Sequence, residues 1–327
     1  MTNEEILVQQ ILFEEKLKKE YFKNIDYSKF VKIASSHLML PSIYLNLKNK
    51  KKLSEIPKDL ENYLEQIYEM NKARNLELIE EVKEISDILS LNKINHVFLK
   101  GTASLFADIY YSKGERMISD IDILIEKKQY KEIKNLMKKF GYRPKQKHDF
   151  FSRRHFSPMI NQKKKFSIEF HHRLFNKSKE LLKEKLVFDN KLKINGINMP
   201  SFIHQIEYTI YSFQINDEGS LRLLYNYRTI YDYFLTTKNQ INLKFEMNRH
   251  TSNFLYSLKK LKLNKLISTK IEIGLSRRFR FYLIWNFKIY RKLEKKIIDE
   301  SKKLDWRFRK LKELIMMHSM RGYSHLK

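Results

Sequence analysis

The strongest constraint on the fold is a short alternating segment, residues 120–125, which reads Asp-Ile-Asp-Ile-Leu-Ile. Strand geometry sends residues i and i+2 to the same face, so Asp120 and Asp122 share one side while Ile121 and Ile123 face the other, packed side. Two carboxylates this close repel each other, and a divalent cation is their usual neutraliser. The segment predicts a β-strand with an acidic face, which is either a metal site or simply solvated.

A glycine turn lies about 20 residues upstream of the aspartates. A short apolar strand over 97–99 is followed by Lys100, Gly101 and Thr102, and the pattern predicts a helix over 103–111 that Thr102 caps. Glycine lets the backbone approach phosphate oxygens closely, and the N–H groups at a helix start face an anion. The turn therefore predicts a phosphate-binding element, to which the Lys100 ammonium either adds charge or points away.

Three further residues lie between the turn and the acidic strand. Gly114 stands where a glycine often ends a helix. Arg116 is placed for a planar, bidentate grip on phosphate, with a salt bridge to an acid as the alternative. Ser119 either caps a turn or contacts phosphate.

A later acid lies on another alternating segment, residues 166–171, which reads Phe-Ser-Ile-Glu-Phe-His. Alternation puts Ser167, Glu169 and His171 on one face. Glu169 is either a third ligand for a metal or a solvated edge-strand glutamate, and His171 either contacts substrate or orients a ligand. The remaining histidines nearby, His148 and His155, do not have zinc-site spacing.

Hydrophobic spacing divides the chain into three predicted regions. Apolar residues recur at helical spacing through residues 1–93, including a long amphipathic helix over 75–91. Residues 94–199 alternate strand, helix, strand, helix and strand, which predicts a small mixed sheet. Helical spacing returns over 200–327. We therefore expect an α/β core flanked by N-terminal and C-terminal helical regions.

Composition narrows the chemistry. The chain has no cysteine, which excludes disulfides, thiolate metal sites and a cysteine nucleophile. The net charge is +27, and residues 255–327 alone carry 21 Lys and Arg against six Asp and Glu. Such a basic region attracts nucleic acid or anionic lipid, although a lysine-rich composition explains it equally well. We find no signal peptide and no uncharged apolar run of about 20 residues, so we expect a cytoplasmic protein.

The motifs Leu99-Lys100-Gly101 and Gly114-x-Arg116-x-x-Ser119-Asp120-x-Asp122 resemble the polymerase-beta-like nucleotidyltransferase superfamily, and within it a largely uncharacterised bacterial family whose motif reads roughly LKG…Y…G.R..SDIDIL. The resemblance extends to helical flanks over 34–44 and 221–222. One departure is Asn226, near a position where many relatives have an aspartate.

This resemblance implies an α/β nucleotidyltransferase core that uses a nucleoside triphosphate and Mg²⁺ or Mn²⁺. Asp120, Asp122 and Glu169 would be the catalytic metal ligands, since relatives bring a third carboxylate from a neighbouring strand. The nucleotide and its phosphates would be bound by Lys100-Gly101-Thr102, Arg116, Ser119 and His171.

The acceptor is left open by the sequence. RNA, in particular tRNA, is one candidate, held by basic helices around Arg277 and Lys295. A protein or small-molecule hydroxyl is another, and a non-catalytic nucleic-acid-binding relative is a third reading. Aromatic residues spread around the helix over 279–290, which favours burial over attachment to a membrane surface. The oligomeric state is not indicated.

Overall fold

The computed structural model describes residues 1–145, 154–175, 181–216, 226–239 and 247–263, together with Leu266. Most of these residues are helical. The α-helices in these ranges are α1 (Asn3–Phe13), α2 (Tyr27–Ser36), α3 (Leu40–Asn49), α4 (Lys58–Leu91), α5 (Lys100–Phe106), α6 (Tyr130–Lys139), α7 (Glu184–Asp189), α8 (Phe202–Tyr211), α9 (Tyr227–Asn239) and α10 (Arg249–Lys260).

A five-stranded mixed sheet forms the α/β part of the fold. Its strands are β1 (His96–Phe98), β2 (Asp120–Ile125), β3 (Arg143–Pro144), β4 (Met159–Ile160) and β5 (Ser167–His171), in the spatial order β1-β2-β5-β4-β3. Only the central pair, β2 and β5, runs parallel among these neighbours; the other pairs are antiparallel. A separate hairpin joins β6 (Leu192–Ile194) and β7 (Ile197–Met199). The fold is therefore mixed α/β with helical flanks, as the sequence predicts.

The two faces of β2 pack into two different cores. Ile121 and Ile123 face a core shared with α6 and the second half of α4. Leu124 faces the opposite way, into a larger core that packs α1, α2 and α3 together with α8, α9 and α10. Because Asp120 and Asp122 alternate with the isoleucines, they lie on the Leu124 face. The acidic face of the sheet is thus turned toward the helical flanks.

The larger core combines side chains from all three regions of the sequence. Ile11 and Ile43 come from the N-terminal region, Val97 from the sheet, and Tyr231 and Leu255 from the helices after residue 200. Burial of such apolar side chains contributes roughly 1.5–3 kcal/mol each. The division into separate domains at residues 93 and 199 stays a prediction.

Helix α4 is 34 residues long, so the helix predicted over 75–91 is only its second half. Pro57 occupies its N-cap position, and Asp59 and Glu61 lie in its first turn, where carboxylates stabilise the helix dipole. No described helix combines the length and the apolar composition that a bilayer crossing requires.

The prediction for the segment after β1 is wrong in its boundaries. Helix α5 begins at Lys100 with Leu99 as its N-cap, so Thr102 lies inside the helix and does not cap it. The helix ends at Phe106, before Tyr111, because Asp108 adopts a left-handed φ of 51° that a helix cannot continue through.

Gly114 does not end a helix either; it allows the loop before β2 to pack against α4. A Cβ atom at this position would lie 2.8 Å from Lys72 Cβ and 2.9 Å from Tyr68 Cε2. Both contacts are with the body of a side chain on a long helix, which cannot move aside cheaply.

We therefore expect Gly114→Ala to lower the free energy of unfolding by about 1–3 kcal/mol, the usual cost of inserting a carbon into a packed contact. Chemical denaturation measures this directly. An alanine variant that unfolds at the same denaturant concentration as the wild type would show that the contact with α4 is loose.

Several predictions fall outside the described residues. They concern the basic helices around Arg277 and Lys295, the aromatic helix over 279–290, the flank at 221–222, and His148.

Candidate active site

The parallel pairing of β2 with β5 brings two carboxylates together. In this register Asp122 is the direct partner of Glu169, and Asp120 is the partner of Ser167. Side chains of paired residues in neighbouring strands project from the same face. The sequence predicts that the acids of these two segments share a site. In the structure, Asp122 and Glu169 are neighbouring side chains on one face of the sheet.

Asp122 is the most buried of the three carboxylates. Its Oδ1 atom lies 2.5 Å from Lys100 Nζ and 2.6 Å from His171 Nε2. Burial raises the pKa of the Asp122 carboxyl, but the charge of Lys100 and the hydrogen bond from His171 outweigh it and hold the pKa well below its usual value. Asp122 is therefore ionised at any physiological pH.

Glu169 completes a compact triad with Asp122 and His171. His171 Nε2 lies 3.5 Å from Glu169 Oε2, and His155 Nε2 lies 3.9 Å from the same oxygen. Burial raises the pKa of Glu169, yet the hydrogen bond from His171 and the nearby imidazoles produce a net lowering. One ligand atom from each triad residue lies within 4.8 Å of the others.

The donor set of this triad fits a divalent cation. Two carboxylate oxygens and one imidazole nitrogen are ligands that Mn²⁺ accepts readily, and the carboxylates suit Mg²⁺. His171 is completely buried, and its Nδ1 atom makes no hydrogen bond with the described residues. The sequence assigns His171 to substrate or ligand orientation; the structure puts its Nε2 among the acids themselves.

Asp120 lies at the edge of the triad. Ser119 Oγ donates a hydrogen bond to Asp120 Oδ1 at 2.7 Å. Burial and the charge of Asp122 together raise the pKa of Asp120, with a smaller contribution from Glu169. The charges of Asp122 and Glu169 therefore both act on Asp120. The ligand atoms that converge, however, are those of Asp122, Glu169 and His171.

The turn at Lys100 adjoins Asp122 through the backbone as well. Leu99 N–H donates to the Asp122 carbonyl oxygen at 2.9 Å. Lys100 adopts a left-handed φ of 51°, which costs an ordinary residue roughly 1–2 kcal/mol. Gly101 is tightly packed, since a Cβ there would lie 3.0 Å from Ile118 Cγ1. Thr102 is buried, with no hydrogen bond to its hydroxyl among the described residues.

Arg116 has a protein partner: Asp232 on α9. Its Nε and Nη2 atoms lie 2.9–3.1 Å from the two carboxylate oxygens, and its Nη1 donates to the Met117 carbonyl at 2.7 Å. Tyr110 donates a further hydrogen bond to Asp232 at 2.8 Å. The sequence leaves Arg116 as either a phosphate ligand or a salt-bridge partner. The structure has the salt bridge, with Asp232, 116 residues later in the sequence.

Comparison with protein families is decisive for this chain. The model of a family described as "uncharacterised nucleotidyltransferase" matches residues 23–242, about two thirds of the sequence. The chain belongs to this family. The matched range contains every site residue named above, together with the helices from α2 to α9.

Two other comparisons add little to the family assignment. No match was found among curated proteins. A solution structure of the antibiotic-resistance factor ANT(2'')-Ia, described as showing substrate-regulated conformational dynamics, is similar at 11% identity and a TM-score of 0.36, covering 60% of this chain and 94% of its own. A score this low does not establish a common fold.

Sequence reasoning missed the residues that hold the nucleotidyltransferase motif in place. Asn71 donates to the Gly114 and Arg116 carbonyls at 2.7 and 3.1 Å, and Asn75 donates to the Arg116 carbonyl at 2.8 Å. Arg74 donates to the Ile118 carbonyl. These three residues lie on one face of α4. Asn71 and Asn75 continue the stripe of buried residues on α4 that includes Tyr68 and Leu78. Two amides within an otherwise apolar stripe were the available signal, but they did not indicate a partner.

Proposed function

We propose that this nucleotidyltransferase is metal-dependent and moves a nucleoside monophosphate from a nucleoside triphosphate to an acceptor hydroxyl, with release of pyrophosphate. The observation that carries the proposal is the pairing of Asp122 with Glu169 across β2 and β5, with His171 Nε2 beside both. Lys100 pairs with Asp122, but Asp120 and Glu169 add negative charge on the same sheet face, which is costly unless a further cation is present.

Asp120, Asp122 and Glu169 would hold the metal, and His171 Nε2, on giving up its hydrogen bond to Asp122, would add a nitrogen donor beside them. A bound Mg²⁺ or Mn²⁺ would lower the pKa of the acceptor hydroxyl and neutralise charge that develops on the phosphate. The low pKa values of Asp122 and Glu169 support this assignment, because both carboxylates are available as anions. The fixed strand register holds them in place before any ligand arrives.

The residues around Lys100 would bind the triphosphate. Lys100 contributes a positive charge beside Asp122, and Gly101, Thr102 and Ser119 lie in the two segments that flank it. Arg116 stays a prediction as a phosphate ligand, since its guanidinium would first have to leave Asp232. The protein would supply alignment and charge, with no covalent intermediate.

We propose RNA, for instance tRNA, as the acceptor. The net charge of +27 and its concentration in residues 255–327 support this choice. A protein or small-molecule hydroxyl is the alternative acceptor, and a non-catalytic nucleic-acid-binding protein is the alternative function. We propose a cytoplasmic location, where triphosphates and RNA are both available.

The test is a transfer assay with each α-³²P nucleoside triphosphate, Mg²⁺ or Mn²⁺, and separate pools of total RNA, protein extract and small metabolites. We expect label to enter the RNA pool and to require a divalent cation. Because phosphate contacts release counterions, RNA binding should weaken steeply between 50 and 200 mM salt, by about 10³-fold or more for six contacts.

The Asp120→Asn/Asp122→Asn protein is the control for this assay. Label in the protein or metabolite pool would show that the acceptor is a protein or a small molecule and not RNA, while the proposed reaction would stand. Equal labelling by the wild type and the double variant would contradict the proposed site. Binding of RNA with no labelled product in any pool would favour the non-catalytic alternative.

A further inference from the structure

The carboxylate of Asp122 already holds a cation that belongs to the protein. Lys100 Nζ lies 2.5 Å from Asp122 Oδ1, and His171 Nε2 lies 2.6 Å from the same oxygen atom. The Lys100 side chain is 30% exposed, whereas that of Asp122 is 3% exposed. The ion pair therefore joins a partly exposed lysine to a buried acid.

The backbone at Lys100 is strained where its side chain meets Asp122. Lys100 has the left-handed φ of 51°, which glycine adopts without strain, yet the chain has lysine here and glycine one residue later. Strain of this kind persists only where the surrounding structure holds the residue in place. At Lys100 the neighbouring contacts with Asp122 are the ion pair and the hydrogen bond from Leu99 N–H to the Asp122 carbonyl.

The position of Lys100 conflicts with a divalent cation on Asp122. Two cations on one carboxylate oxygen repel each other, so a metal ion bound at Asp122 and Glu169 would displace the ammonium group. A lysine can respond, because its charge is compact and its four-carbon stem is flexible. Arg154 also acts on Lys100 as a like charge, so an anion between the two basic groups would relieve their repulsion.

We propose that Lys100 is an exchangeable counter-ion: it neutralises Asp122 in the metal-free protein and moves to the polyphosphate of the nucleotide when a divalent cation binds. This inference rests on the proposed function. In this exchange, Lys100 weakens the binding of the metal and strengthens the binding of the nucleotide. Removing the lysine charge must therefore change the two affinities in opposite directions.

The test compares the wild type with Lys100→Met, which keeps the apolar stem. Free Mn²⁺ is measured by electron paramagnetic resonance in a titration without nucleotide. We expect the variant to bind Mn²⁺ about 10- to 100-fold more tightly, the usual size of coupling between two sites. Its affinity for a non-hydrolysable triphosphate at saturating Mn²⁺ should fall by a similar factor.

Lys83→Met is the matched control, because Lys83 forms an exposed pair with Glu80 and its loss removes the same charge. It should leave both affinities unchanged. A second readout uses the wild type alone: acetylation of Lys100 by a water-soluble anhydride, followed by mass spectrometry, should accelerate when Mn²⁺ is added and slow again when the triphosphate analogue follows.

The outcomes separate the two levels of the proposal. Mn²⁺ binding to the wild type that Lys100→Met leaves unchanged or weakens, or Lys100 acetylation that Mn²⁺ does not alter, overturns the exchange and leaves the metal-dependent reaction standing. Failure of both proteins to bind Mn²⁺ overturns the exchange together with the metal site. If Lys100 had a purely structural role, Lys100→Met would lower the free energy of unfolding and weaken the binding of both Mn²⁺ and the triphosphate analogue.

Discussion

Replacing Asp122 by asparagine is expected to lower the rate of nucleotidyl transfer by about 10³-fold or more. The carboxylate of Asp122 is ionised and lies beside Glu169, so it is the centre of the proposed metal site. Asparagine has nearly the same volume but no charge, and a bound metal lowers the barrier of such a reaction by several kcal/mol. The rate is measured with labelled triphosphate at saturating Mn²⁺.

Two further variants make this result interpretable. Asp122→Asn also leaves the Lys100 ammonium without its anion, so stability must be followed by thermal unfolding. Glu169→Gln is gentler, because Glu169 is less buried and its imidazole contacts are 3.5 Å or longer; it should lose about 10²-fold or more with the fold intact. Glu126→Gln, just beyond the other end of β2, should retain full activity. An Asp122→Asn protein with a tenth of the wild-type rate would contradict the assignment.

Replacing Asp232 by alanine is expected to lower the free energy of unfolding by about 3–5 kcal/mol. The Arg116 and Asp232 side chains are each only 11% exposed, and Asp232 is the one acid that Arg116 meets among the described residues. Removing the carboxylate leaves a buried guanidinium without compensation. It also frees the Tyr110 hydroxyl from its acceptor. Chemical denaturation with a two-state fit gives the difference.

The double variant Arg116→Met/Asp232→Leu tests the cause. It removes both charges, so it should recover most of the lost stability. Glu80→Ala, which breaks an exposed pair with Lys83, should cost only about 0–1 kcal/mol. If Asp232→Ala proves as mild as Glu80→Ala, the pair is solvated in solution. Unchanged nucleotide affinity in the stable double variant would assign Arg116 to the fold; a large loss would support its predicted phosphate contact.

Much of the acidic strand could be predicted from local sequence. The bounds of β2 agree with the alternating segment, because successive side chains of a strand point to opposite faces and Asp120 and Asp122 alternate with the isoleucines. The same reasoning placed Glu169 and His171 on one face of β5, whose observed start differs by one residue. Periodicity is a property of neighbouring residues, so it requires no knowledge of the rest of the chain.

Partner choice could not be predicted in this way. Arg116 pairs with Asp232 across 116 residues, and Asn71 and Asn75 bind loop carbonyls about 40 residues away. Any of the many acids and carbonyl groups in the sequence could have filled these roles. The choice depends on which helix passes beside the loop, and burial then makes the pairing obligatory.

The sequence by itself determined the reaction family and the acidic strands, because motif spacing and alternation are written along neighbouring residues. The tertiary structure alone decided three contacts: Lys100 pairs with Asp122, His171 Nε2 bonds to Asp122, and Arg116 pairs with Asp232. These contacts form only when the parallel pairing of β2 and β5 and the packing of α4 and α9 bring distant segments together. In the buried interior an unpaired charge is costly because the surroundings have low polarity, so each buried charge pairs with the nearest available group.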